Sequence, residues 1–325
     1  MDASPPSLRN VAALAGVAIS SASRALSDSP SVSAELRARV LAAALELGYR
    51  PNLLARGLRK GASLSVGFIV RDISASLFAE IALGAETALR ERGYSMLLTN
   101  SEGRSDLDLA HLRLFRQRSV DGLLLSLADE THAATLDELE QLHIPIVLID
   151  REVERPTGLS AVLCDHGAGV AAACAWLTGL GHQRIGLVGG PRSLRPGRVC
   201  AAALERYARD AGYEPAIADG PFSAEHGREG AERLLRLPEP PTALIAGSSQ
   251  ILPGVLEALR ARPEVAMVTF DGDSLLESID RPIGVIDRQS TEIGRVAAGL
   301  LLDRFAGLPP EARSIPSLVR PPRSG

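Results

Sequence analysis

The chain is short of three things that would each point to a different biochemistry. It has three cysteines, Cys164, Cys174 and Cys200. Their number is odd and their spacings fit no metal or redox motif, so a disulfide framework is not expected and a reducing, cytoplasmic setting is. It has no apolar run near the roughly 20 residues that span a bilayer, and Met1–Ser7 is polar and proline-rich with no apolar core of a signal peptide. No membrane association is therefore expected. It also lacks the marks of a catalyst: no G-x-S-x-G elbow, no phosphate-binding loop, no H-E-x-x-H. Gly189-Gly190-Pro191 does not have dinucleotide-binding spacing. The six histidines (His111, His132, His143, His166, His182 and His226) show no ligand spacing. The expectation is no catalytic residue, no metal and no cofactor. His166 follows Asp165 at a helix start and reads as a local contact. Lys60 is the only lysine among 35 basic residues, a habit of codon usage rather than function.

What remains is apolar enough, at 46%, to bury sizeable cores, and 325 residues suggest two or three domains. The net charge of −4 argues against nucleic acid, but its distribution argues for it. Residues 1–62 carry eight basic and four acidic groups, leaving −8 for the rest. A basic head on an acidic body suits a protein that touches phosphates at one end only.

Val11–Leu26 reads V-A-A-L-A-G-V-A-I-S-S-A-S-R-A-L, two apolar-periodic segments around a break at Gly16. That spacing suits a helix-turn-helix, whose second helix enters the DNA major groove. Val11, Leu14 and Ala15 would face inward, as would Ala22, Ala25 and Leu26. Ile19, Ser20, Ser23 and Arg24 would point to DNA. Ser31-Val32-Ser33-Ala34-Glu35 then supplies a candidate N-cap and a first-turn acid for a third helix, with Leu36, Val40, Leu41, Ala44 and Leu45 at helical spacing, ended by Gly48.

From Leu64 onward short apolar runs alternate with amphipathic segments. Strands are expected at Ser65–Val70, Ser95–Leu98, Gly122–Leu127, Ile146–Ile149, Ile185–Val188, Ala243–Ala246 and Ala266–Phe270. Helices are expected at Phe78–Arg92, Leu107–Arg118, Ala168–Leu180, Gly197–Ala211, Ala224–Leu235, Pro253–Ala261 and Thr291–Phe305. This alternation predicts parallel sheets flanked by helices, too many strands for one ordinary sheet, hence two α/β lobes with a ligand cleft at the strands' carboxyl ends.

The patterns A-G-V, S-R-x-L, V-S-x-x-x-R-x-R-V-L and L-G-Y-R-P-N-x-x-A-R-x-L-R, running from Ala15 to Arg59, resemble the lactose-repressor (LacI/GalR) family of bacterial transcription regulators. The resemblance extends along essentially the whole chain. It implies an all-α helix-turn-helix head at 1–50, a hinge helix at 51–61, and a body like periplasmic sugar-binding proteins. That body would have one lobe at 62–163 and 288–316 and the other at 164–287 and 317–325, with crossings near Leu163, Asp287 and Ser317. It implies a homodimer on a palindromic double-stranded operator, with repression as the usual outcome. The alternative is a sugar-binding protein of the periplasmic type with no DNA role.

Carried over residue by residue, the resemblance places base-reading at Ile19, Ser20 and Arg24. Arg24 could fork onto guanine O6 and N7. Ser7, Ser21, Ser23, Ser27 and Asn52 fall where phosphate contacts set register. Leu58 matches the leucine that wedges between base steps, on a segment too short to hold a helix alone and further weakened by Gly57. The usual capping Ser or Thr is Ala18 here, which weakens the second helix by about 1 kcal/mol. For the effector the matching positions are Asp72, Asp150, Arg198 and Asp271. The usual Asn-Asp pair is Ser248-Ser249, and a position often filled by glutamine is Arg288. The effector expected is carbohydrate-like, and Arg151, Arg192 and Arg195 nearby point to an anionic one.

Overall fold

A computed structural model describes residues 6–26, 31–49, 62–272, 276 and 279–322. The chain divides into two compact units, Met1–Ser63 and Leu64–Gly325.

The first unit is helical. α1 (Leu8–Leu14) is capped by Ser7, whose side chain accepts from the Asn10 amide while Asn10 reaches back to the Ser7 amide. Gly16 at φ +63° makes the turn that a side chain would strain, and α2 (Ile19–Leu26) follows. α3 (Ala34–Glu46) starts at Ser33, whose hydroxyl accepts from Leu36 N, and ends at Gly48 in the left-handed region. The core is small: Val11, Ala12, Ala15, Ala22, Ala25, Val40, Ala43 and Ala44. Leu14, Leu41 and Leu45 were expected inside and are exposed. The reason is geometric. Helices packed through alanines approach closely, so the buried stripe is narrow. Ala12 and Ala43 fill it, while Leu41 and Leu45 lie a residue round from Val40 and Ala44.

The second unit holds two six-stranded sheets. In chain order its elements are β1 (Ser65–Val70), α4 (Ser76–Glu91), β2 (Ser95–Asn100), α5 (Ser105–Gln117), β3 (Gly122–Leu125), α6 (Ala133–Gln141), β4 (Ile146–Ile149) and β5 (Ser160–Asp165). Then come α7 (His166–Gly179), β6 (Ile185–Gly189), α8 (Arg195–Ala211), β7 (Ala216–Asp219), α9 (Ala224–Leu235), β8 (Ala243–Ala246), α10 (Leu252–Ala258), β9 (Ala266–Phe270) and β10 (Ile283–Asp287). α11 (Ser290–Phe305), β11 (Ala312–Pro316) and β12 (Leu318–Arg320) complete it. The sheet orders are β11-β5-β4-β3-β1-β2 and β12-β10-β9-β8-β6-β7. Without their outer strands β11 and β12 the two share one topology. Every pairing is parallel except β10 with β12.

The central strands are continuous Val, Ile and Leu because both faces are covered. Apolar clusters lie on each side of the first sheet, around Phe68, Ile81 and Leu301 on one and Phe115, Leu123 and Leu139 on the other. The second sheet is sandwiched likewise. The chain passes between sheets three times: from β5 into α7 after Asp165, from β10 into α11 after Asp287, and between β11 and β12 at Ser317. β5 runs two residues past the crossing expected at Leu163.

Candidate functional site

α2 turns its apolar face, Ala22 and Ala25, to the head's core. Ile19, Ser20 and Arg24 are left exposed, and Ile19 at 46% exposure is an apolar side chain outside the head's core cluster. Arg24 lies one turn beyond Ser20, so both stand on one helix face, and its Nε donates to the Ser20 carbonyl at 3.3 Å. Ser21 and Ser23 are half-buried. Ser7 is exposed and already committed to capping α1. Ser27, Asn52 and Leu58 lie outside the described residues, as does the whole segment expected to form the hinge.

In the body, the first-lobe strands β1, β3 and β4 and the second-lobe strands β8, β9 and β10 carry polar residues just past their carboxyl ends, where open α/β sheets present ligand-binding groups. Asp150 follows β4 at φ +53° and Asp271 follows β9 at φ +52°. These are conformations a non-glycine residue rarely adopts, and they cluster at functional sites.

Asp150 is the hub. Its Oδ2 pairs with His166 Nε2 at 2.7 Å. Its Oδ1 receives Arg195 Nη1 at 2.8 Å and Cys164 N at 3.2 Å. Arg288 Nη1 stands 4.0 Å from Oδ2. Burial works to raise this carboxyl, but His166, Arg288 and Arg151 together outweigh it and hold the group well below the usual carboxylate range. Arg288 itself forks onto Asp271, with Nε donating to Oδ1 at 3.0 Å and Nη2 to Oδ2. Burial pushes the guanidinium's pKa down, yet Asp271 and Asp150 more than reverse that, so it stays charged.

Other contacts join the two lobes. Arg198 Nη1 meets Glu130 Oε2 at 2.8 Å, and Arg195 Nε meets Glu152 at 3.3 Å. Gln250 Nε2 donates to Asp72 at 2.6 Å, and Asp72 also caps Ser74. The Arg71 guanidinium lies 5.0 Å over the Phe222 ring. Between the lobes is a cavity of about 40 Å³, bounded by Arg71, Phe78, Ser126, Asp150, Ser248 and Arg288 among others. That volume has room for ordered water.

Of the expected effector residues, Asp150, Ser248 and Arg288 are on the cavity wall. Asp271 stands behind Arg288, while Asp72 and Arg198 tie lobe to lobe. Sequence reasoning missed Arg71, Glu130 and Gln250. Each acts through a partner at least 68 positions away in the chain (Arg198 for Glu130), a pairing no local pattern announces.

Asp150, Cys164 and His166 place three possible metal-ligand atoms within 4.8 Å of one another. They do not make a good cation site. Asp150 is already held by Arg195 and His166 with Arg288 beside it, and burial pushes the Cys164 thiol well up, against the thiolate a metal needs.

Two family models match the chain. One, described as bacterial regulatory proteins of the lacI family, covers residues 7–52. The other, described as periplasmic binding proteins and sugar binding domain of the LacI family, covers residues 63–303. The HTH-type transcriptional repressor CytR of Escherichia coli (strain K12) is 30% identical over 314 residues, spanning 92% of this chain and 90% of that protein. The transcriptional regulator CelR in complex with cellobiose is 28% identical with a TM-score of 0.73, over 98% of this chain and 100% of that one. The lac repressor dimer bound to operator and an anti-inducer shares the fold at a TM-score of 0.85 and 22% identity, over 98% and 99% of the two chains.

Proposed function

The chain belongs to the LacI family of bacterial regulatory proteins, and on that premise we propose that it is a ligand-responsive transcriptional repressor and not an enzyme. Two such chains grip an operator with inverted-repeat symmetry, and a small carbohydrate-like molecule between the lobes changes that grip. One observation carries the reading. A helical head with an exposed Ile19-Ser20-Arg24 face shares its chain with a body whose two lobes bring Asp150, Arg195, Arg288 and Asp271 together at one buried point. A sugar-binding protein without a DNA role would have no use for the head.

On DNA, Arg24 forks onto a guanine, Ile19 packs on a thymine methyl and Ser20 bonds a neighbouring base edge. Ser7, Ser21, Ser23, Ser27 and Asn52 hold phosphates and set register. The working setting is the cytoplasm, where the DNA is. Among the described residues no helix is long and apolar enough to cross a membrane.

Dimerisation has support in the body. β2 is the outer strand of the first sheet and exposes Leu97 and Leu98, and Leu83 on neighbouring α4 is 61% exposed. A parallel-sheet edge with apolar side chains in water is a liability unless a partner covers it. In the cleft, Asp72, Asp150, Arg198, Ser248, Asp271 and Arg288 respond to the effector. Ligand entry exchanges lobe-to-lobe bonds for bonds to ligand, and the lobes' rotation alters the geometry of the 51–61 hinge pair. The Leu58→Ala variant tests this coupling. Gel-shift titration should show operator affinity falling at least about ten-fold, since the wedge and its bend are lost, with ligand-induced thermal stabilisation retained. Unchanged operator affinity would overturn the role given to the hinge.

A further inference from the structure

Two first-lobe arginines take no part in the ion pairs that close the cleft. Those pairs go to Arg195 and Arg198. Arg71, one residue past β1, and Arg151, two residues past β4, both face the cavity beside Ser126. Arg151 is only 4% exposed. Its Nε donates to the Leu127 carbonyl at 2.7 Å and its Nη1 to the Asp150 carbonyl at 2.8 Å, and among the described residues it meets no carboxylate at ion-pair distance. Arg71 likewise has no ion pair among the described residues, and its buried Nε has no hydrogen-bond partner.

The acids around them are spent elsewhere. Asp72 holds Ser74 and Gln250, Glu130 holds Arg198, and Asp150 has both oxygens engaged by Arg195, Cys164 and His166. Asp108 accepts the Ala128 amide at 2.7 Å, and burial pushes its carboxyl up toward the neutral form. Burial disfavours the charge on both arginines and Arg71 adds to that at Arg151, while Asp72 and Asp108 favour the charge on Arg71, and Asp150 and Glu130 that on Arg151. A half-buried and a buried guanidinium, with carboxylates near but none at ion-pair distance among the described residues, leave donor capacity that an entering anion would satisfy.

A cleft built for a neutral sugar would show the reverse: carboxylate oxygens left open to accept hydroxyls. Here the carboxylate on the cavity wall is saturated and the donors are open. We infer that Arg71, Arg151 and Ser126 form an oxyanion subsite, which takes the carboxylate or phosphate of the effector while its polyhydroxyl body meets Ser248, Ser249 and Gln250 across the cleft. The planar guanidinium forks match either oxyanion. This rests on the reading of the cleft as the effector site and adds the charge of what enters it.

The test is thermal shift on the full-length protein at matched ionic strength. The ligands are inorganic phosphate alone, glucose, gluconate, glucose 6-phosphate, ribose and ribose 5-phosphate, each applied to wild type, Arg71→Gln and Arg71→Lys. Phosphate and at least one anionic sugar should raise the wild-type Tm. Arg71→Gln should weaken that response about ten-fold or more, the scale of a lost charged hydrogen bond, and Arg71→Lys should restore part of it. Gluconate against the phosphate esters tells which oxyanion is preferred. Stabilisation by neutral sugars alone would overturn the subsite and leave the cleft reading intact. An equal response in wild type and Arg71→Gln, or none from any anion, would also overturn it. An Arg71-dependent response with no effect on operator binding would keep the subsite and overturn the effector reading.

Discussion

Asp150 concentrates the physics of the cleft in one side chain: left-handed backbone, 6% exposure, and bonds to His166, Arg195 and the Cys164 amide. Its position at a strand end was legible from L-I-D-R, and so was Asp271 from T-F-D-G-D. Their partners were not: Arg195 reaches Asp150 from the other lobe, and Arg288 reaches Asp271 from the end of the neighbouring strand. Its depressed pKa makes a signed prediction. The carboxyl is ionised in both folded and unfolded states above an unfolded value of about 4, where its full stabilisation is present. The stabilisation is lost as pH falls below about 4 toward the depressed folded value. Asp150→Asn should therefore lower the Tm at pH 7, and the gap to wild type should narrow as pH falls to about 3. A gap that stayed constant with pH would mean the pairing does not depend on the charge.

At the scale of elements, each lobe contains a pair of helices in glycine-mediated contact. A Cβ on Gly84 of α4 would strike the Thr291 carbonyl of α11, and one on Gly294 of α11 would strike the Ile81 carbonyl of α4. In the other lobe Gly227 of α9 and Gly254 of α10 stand against the Ile251 and Ala224 carbonyls in the same reciprocal way. Glycine is required there by approach, not by turn geometry. Gly294→Ala should destabilise the body by about 1–3 kcal/mol, a Tm loss of several degrees in differential scanning calorimetry. No loss would show that the helices separate freely.

Legibility followed burial. The strands β1, β4, β8 and β9 stand where their continuous apolar runs placed them. β5, β7, β10, β11 and β12 were not anticipated, nor was α6. β5 and β7 alternate buried and half-exposed residues with alanine and aspartate among them, and β11 is exposed except at Ile315. Strands at a sheet edge, as β7 and β11 are, or next to one, as β5 is, are set by their neighbours' unpaired backbone, which sequence pattern does not display. The shared topology of the two sheets was invisible for a related reason: equivalent strands share pairing, not residues.

At the scale of the whole molecule, two properties of the chain belong together. The first 62 residues are net basic, and the rest is net acidic and built as two lobes around a cavity lined by charged and polar side chains. Phosphate contact at one end and ligand control at the other follow from that division. The central claim is that a dimer reads DNA through Ile19, Ser20 and Arg24. Selection of binding sites by the full-length protein from a pool of random duplexes tests it most directly. The account predicts enrichment of an inverted repeat, bound about 10³-fold or more tighter than scrambled duplex, with affinity falling steeply as salt rises. A pool left unenriched, or a recovered motif without two-fold symmetry, would contradict it.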